Sequence, residues 1–134
     1  MGSLRLLLFG FTLIVAAGCG NPTSPLPAGD WGGVHLLLTL TPTGGAAEYD
    51  CAHGLINSPI QVDAAGRFDV PGTFVPEHGG PSRIGETLPE YPARYAGRII
   101  GDLMTIAVTR TDSAISIGSY SLQRGAQARV FKCL

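Results

Sequence analysis

The sequence predicts an all-β domain: a single antiparallel sheet of seven to eight short strands curled into a small barrel, with a two-sheet β-sandwich as the alternative. Two observations carry this. Nineteen glycines and ten prolines among 134 residues interrupt helices and suit tight turns. Short segments alternate apolar with polar residues, and turn signals separate them at roughly ten-residue spacing.

The chain opens with Met1 to Arg5, which carries one positive charge. Leu6 to Ala17 follows as an apolar run of twelve residues. That is shorter than the roughly 20 residues a bilayer core requires, but it suits a secretory signal. Ala16-Ala17-Gly18-Cys19 resembles the lipobox of bacterial lipoproteins, although Ala16 stands where Leu or Val is usual. The resemblance implies cleavage before Cys19, a diacylated Cys19 thiol and acylation (palmitate or similar) of the new N-terminus. Two or three acyl chains anchor a protein stably, where one is marginal. The membrane is then the first partner. Gly20 in place of Asp implies sorting to the outer membrane of a Gram-negative envelope. The other reading is an ordinary secretory signal cut near Ala17, leaving Cys19 a plain thiol. The expected organisation is a signal peptide over residues 1–18, a lipidated cysteine with a Pro-rich tether over 19–29, and a barrel over 30–134.

Beyond the leader the bases number eight against ten acids, so no strong field points to nucleic acid. The charge is uneven. Residues 19–80 hold one base, Arg67, whereas residues 81–134 hold seven bases against four acids. Cross-strand pairing between the halves explains this, and a basic face for an anionic ligand is the sharper reading. With Cys19 lipidated, Cys51 and Cys133 remain as a pair in an oxidising compartment. Their disulfide closes a long loop, for which chain entropy gives about 4–5 kcal/mol. It also favours barrel closure by joining the second strand to the last.

Taken in order, Gly20 to Gly29 reads as a structureless spacer. Asp30-Trp31-Gly32-Gly33 opens the domain. Gly29-Asp30-Trp31 is similar to the Gly-x-Trp element at the base of lipocalin-like and avidin-like barrels, which implies a ring plugging one end. Val34 to Thr41 is the first strand and Ala46 to Cys51 the second. Ile60–Val62 and Phe68–Val70 read as a hairpin around Asp63–Arg67. Pro71-Gly72 kinks the chain, and Thr73–Val75 follows as an edge-like strand. Pro76 to Pro92 is long and irregular, far beyond the usual four to six residues of a connection. Such a loop is either a binding edge or a flexible crossover. Ala93–Ile100 and Leu103–Arg110 form the clearest hairpin, turning at Gly101-Asp102. Ile115–Gln123 changes its apolar parity at Gly118, a candidate bulge. Ala128 to Cys133 is the expected last strand.

The residues read as a candidate binding edge are Glu77, His78, Arg83 and Tyr91 of the long loop, with Asp50 and His53. Asp50, His53, Glu77 and His78 have the chemistry of an O/N metal site, but their spacing does not require one. No nucleophile elbow, P-loop or His-Glu-x-x-His occurs, and no catalytic residue, metal ligand or cofactor is assigned. The expectation is a monomeric, non-catalytic binding module on a lipid anchor in the cell envelope, for a small ligand or an envelope protein. The alternative is an inhibitor of a secreted hydrolase such as lysozyme or a protease. Glu48–Gly54 and the terminal Lys132-Cys133 resemble, over a handful of residues, the Tyr-x-Cys start and Cys-terminated end of membrane-bound lysozyme inhibitors. A metal-dependent hydrolase and a structural envelope part come behind these.

Overall fold

The structure, a computed structural model, describes residues 18, 20 and 22–134. Residues 1–17 of the expected leader, and Cys19 with the expected lipidation, lie outside the described residues. The strands are β1 (Ser24–Pro25), β2 (Gly29–Gly33), β3 (Leu36–Thr41), β4 (Gly44–Tyr49), β5 (Ala52–Ile56), β6 (Gln61–Val62), β7 (Arg67–Pro76), β8 (Tyr91–Ile100), β9 (Leu103–Arg110) and β10 (Ser116–Arg124). Eight of them form a closed antiparallel barrel in the order β10-β2-β3-β4-β5-β7-β8-β9. β1 and β6 pair separately as a two-stranded ribbon.

Alternation decides which side chains enter. Leu36, Leu38 and Leu40 of β3 point inward, as do Met104, Ile106 and Val108 of β9 and Phe68 and Val70 of β7. With Trp31, Tyr49, Tyr95 and Leu122 they fill the interior. Arg67, Asp69, Arg94, Arg98, Thr105, Ser119 and Ser121 face outward. This is apolar-in and polar-out, the reverse of a barrel whose outer band faces lipid.

Closure comes from β2 and β10, which pair Trp31 with Arg124 and Leu122 with Gly33. The disulfide does not make it. The predicted last strand is instead an irregular tail, joined to the barrel by one parallel bridge between Val34 and Arg129. A closed barrel offers no free edge for a further strand, so the tail runs back over the outer wall of β2 and β3 to one end of it. The predicted first strand, Val34–Thr41, begins only at Leu36, and an additional strand precedes it. Gly29–Gly33 is a strand of its own, and a bend at His35, with φ of 71°, separates it from β3.

Two other expectations are corrected. Ile60–Val62 does not pair with Phe68–Val70, because β6 takes β1 as its partner. Asp63 explains the turn between them: its Oδ1 accepts from the Ala65 and Arg67 amides, both at 2.9 Å. Thr73–Val75 is not a separate edge-like strand after Pro71-Gly72, since β7 runs unbroken against β8 from Arg67↔Arg98 to Phe74↔Tyr91 and also meets β5. On its other side the ladder to β5 covers only Ala52 and His53, so the amide that Pro71 lacks is not needed. The hairpin turning at Gly101-Asp102 and the register shift at Gly118 are present.

The barrel has two unlike ends. One gathers the β3–β4 turn, the β6–β7 loop, the Gly101-Asp102 turn and the N-terminal ribbon. Here the supposed spacer is partly folded: Ser24 and Pro25 pair with β6, Leu26 is buried, and its amide bonds the Ile60 carbonyl at 2.9 Å. Trp31 is fully buried nearby beneath the Arg124 guanidinium, 4.6 Å from the ring centroid. The other end gathers the β2–β3 and β4–β5 bends, the loop from Glu77 to Glu90, the β9–β10 turn and the C-terminal tail. These are called the tether end and the loop end below.

Candidate functional site

The loop end is held by the tail acting as a strap. Arg129 exchanges backbone hydrogen bonds with the β2–β3 bend, to Gly33 at 2.9 Å and from His35 at 2.8 Å. The Phe131 amide donates to Asp50 Oδ1 at 2.7 Å. Lys132 then places its ammonium between three acceptors: Glu48 at 2.6 Å, Glu77 at 2.9 Å and the Ala52 carbonyl at 2.9 Å. Cys133 closes a disulfide on Cys51, with Cα atoms 4.9 Å apart, and the Gly80 amide donates to the Leu134 carbonyl at 2.9 Å. Cys51 sits in the β4–β5 turn with φ of 50°, so the bridge joins a turn to the tail rather than one strand to another.

These contacts fix the base of the long loop. Pro76 and Pro92 belong to strands, and Tyr91 opens β8, so the irregular stretch is residues 77–90. Within it, His78 Nε2 meets Glu86 at 2.6 Å. The Glu86 carboxylate also accepts from the Arg83 amide at 3.2 Å, and the Glu86 amide donates back to the Arg83 carbonyl at 3.1 Å. The result is a small closed turn with Ile84 at its tip, fully exposed, and Gly85 beside it in the left-handed region (φ 79°).

The candidate residues divide into three places. His53, Glu77, His78 and Arg83 share one shallow depression of about 280 Å³, with Ser82, Glu86 and Leu88 completing its wall. Asp50 is not among them, because the Phe131 amide and the His35 imidazole take up its carboxylate. Tyr91 lies apart, with the Arg110 guanidinium 3.5 Å from its ring centroid.

The electrostatics follow from these contacts. Burial works to raise the Glu77 carboxyl, but hydrogen bonds from Lys132 and His53 hold it below its usual range. Its bond to the Gly79 carbonyl, and then Glu86, raise the His78 imidazole. In turn His78 and the Arg83 amide lower Glu86. The Phe131 amide lowers Asp50. Among the described residues no group of three or more His, Cys, Asp or Glu side chains is arranged to hold a metal ion. Glu77 already neutralises an ammonium, which disfavours a second cation beside it. His53 and Glu77 are 2.9 Å apart and so within reach for acid–base chemistry, but Glu77 also holds Lys132 of the strap.

Part of the uneven charge is cross-half pairing, as in Asp69 with Arg94 and Glu48 and Glu77 with Lys132. Sequence reasoning missed Lys132 as the hub of this end, since nothing local links it to residues 55 and 84 positions away. It also passed over Ile84, although a lone β-branched apolar residue in a Gly/Pro-rich polar loop was a usable signal.

Comparison with protein-family models, with curated proteins and with solved structures finds no match for this chain.

Proposed function

We propose that the mature chain is a lipid-anchored, non-catalytic binding module of a bacterial cell envelope, on the outer membrane where the host has one. In this reading the acyl chains on Cys19 hold the tether end at the membrane, and the loop end meets another envelope protein. The observation that carries it is the position of the 77–90 loop. Its braced turn presents the fully exposed Ile84 at the end of the barrel opposite the anchor. Val34, Ile115, Phe131 and Leu134 are also exposed at this end. Apolar groups of this kind, rimmed by charge, suit a protein partner. A small ligand held inside the barrel fits less well, because Trp31, Tyr95, Leu36, Leu38 and Met104 occupy the interior.

The alternative is an inhibitor of a secreted hydrolase, such as lysozyme or a protease. The pre-formed Arg83–Glu86 turn favours it, since a rigid projecting turn enters an enzyme cleft at low entropic cost. Capture of envelope proteins on the immobilised full-length protein tests the main reading. Shortening the loop between Gly79 and Leu88 should abolish capture, and capture unchanged by the deletion removes the loop as the site. Lysozyme and protease turnover with added protein tests the alternative, which fails if neither enzyme is slowed at micromolar concentration.

A further inference from the structure

The tether end carries a surface of its own. Ile100 and Leu103 face each other across the Gly101-Asp102 turn, and both point outward, 65% and 60% exposed. Beside them on the outer face Arg67 and Arg98 stand in register on β7 and β8. Arg98 donates to the Ala65 carbonyl at 3.0 Å, and neither guanidinium is ion-paired among the described residues. The other charges here are engaged or set apart. Asp69 is taken by Arg94, Asp102 lies 3.4 Å from Arg124, and Asp63 caps its own turn, while Asp30 lies on β2 beside the tail.

Between the strands lies an outward hollow of about 410 Å³. It exists because the outward side chains of Ala96, Ala107, Ser119 and Ser121 are small. Arg67 and Arg98 flank it, and Thr105, Ser119 and Ser121 supply hydroxyls. Two guanidiniums and hydroxyls around a hollow have the chemistry of a phosphate site. Apolar side chains at the tip of a hairpin, next to such a site, suit the boundary between headgroups and acyl chains.

Chain length brings this surface to a membrane. Ser24 is already clipped to β6, so only four residues lie between it and Cys19, five chain steps or at most about 18 Å of extended chain. Thr23 emerges beside Arg67, Asp69 and Arg94, on the flank that carries Arg67 and Arg98.

We infer that the barrel rests directly on the membrane. The Ile100 and Leu103 side chains enter the interface, and Arg67 and Arg98 bind phosphates of anionic phospholipid headgroups in the adjoining hollow. This rests on the reading of Cys19 as the anchor.

The test uses the mature lipidated protein in vesicles of phosphatidylethanolamine with or without phosphatidylglycerol, the acyl chains carrying bromine as a fluorescence quencher. Leu103→Trp and Ile84→Trp are read against the wild type, in which only buried Trp31 emits. In anionic vesicles Leu103→Trp should be quenched at least twofold and Ile84→Trp should not. Adding Arg67→Gln and Arg98→Gln to Leu103→Trp, or omitting phosphatidylglycerol, should restore most of the emission. If the protein floats with the vesicles but Leu103→Trp stays bright, the barrel hangs free, and the inference falls while the anchor stands. Shielding of Leu103→Trp from both bromine and aqueous iodide would mean a second copy covers the face, and also overturns it. A protein that does not float with the vesicles at all overturns the anchor and this inference together.

Discussion

The Tyr49 hydroxyl donates to the Tyr95 hydroxyl at 3.0 Å inside the barrel, and Tyr95 donates onward to the Thr73 carbonyl at 2.7 Å. This chain satisfies the polar ends of two buried rings. It also supplies a partner for a β7 carbonyl that the short β5 ladder leaves out. Burial pushes the Tyr95 phenol up to about 12, and burial and Tyr95 push Tyr49 further in the same direction, so both donate throughout the working pH range.

The two tyrosines are unequal. Tyr95→Phe strands both the Tyr49 hydroxyl and the Thr73 carbonyl and should cost about 1–3 kcal/mol. Tyr49→Phe leaves the Tyr95–Thr73 bond in place and should cost about 0.5–1.5 kcal/mol. Urea melts of the two variants measure the difference. Equal losses would mean that the chain does not act in this order. Gly54→Ala belongs to the same series, since a Cβ there collides with the Tyr95 hydroxyl and the Thr73 carbonyl, and overpacking of this kind costs about 1–3 kcal/mol.

Replacing Cys51 and Cys133 together by Ala should lower stability by about 2–5 kcal/mol, with the 82-residue separation favouring the upper part of that range. The barrel should survive, because β2 and β10 close it without the bridge. Far-UV circular dichroism should therefore be unchanged, while amide exchange accelerates at His35, Gly80 and Phe131, whose hydrogen bonds depend on the tail. Loss of the β-sheet signal at room temperature would contradict this.

The His78–Glu86 brace should depend on pH. His78 is raised, so its contribution is complete below its ordinary value of 6.5 and is lost as pH rises through the raised one. Glu86 is lowered, so its contribution is complete above 4.5 and is lost as pH falls through the lowered one. The brace is thus strongest between those values. An NMR titration should place the His78 midpoint above that of free histidine, and Glu86→Gln should move it down. Arg83, His53 and Glu77 line the same depression and are unaltered in that variant, so the shift reports Glu86 alone. A midpoint that ignores Glu86→Gln would show that the pair does not form in solution.

The proposed anchor has a direct chemical signature. Intact mass of the protein recovered from membranes should correspond to a chain beginning at Cys19 plus a diacylglyceryl group and one further acyl chain. Cys19→Ser should leave the membrane fraction. A mature N-terminus at another residue, or an unmodified Cys19, would return the chain to the class of soluble secreted proteins.

The barrel itself was legible in the sequence because its cause is local. The alternation in Leu36–Thr41, Ala93–Ile100 and Leu103–Arg110 sets which side chains face in, and the Gly101-Asp102 turn and the Gly118 shift are written in single residues. The Cys51–Cys133 bridge followed from counting. What could not be read depended on partners distant in the chain. Ala128–Cys133 has the composition of a strand, and only closure by β2 and β10 turns it into a strap. Ser24–Leu26 looks like spacer until β6 is there to pair with it. Of the candidate site, the loop and the set of His53, Glu77, His78 and Arg83 could be read from sequence. The exclusion of Asp50 and Tyr91, and the place of Lys132, are set by packing at the loop end.

If the two ends of the barrel face different partners, photo-crosslinking in living cells should capture a different one at each. A photoreactive side chain replaces Ile84 in one strain and Leu103 in another. Position 84 should give a discrete protein adduct, and position 103 phospholipid adducts without a protein band. A protein adduct at position 103 with none at position 84 would contradict that orientation.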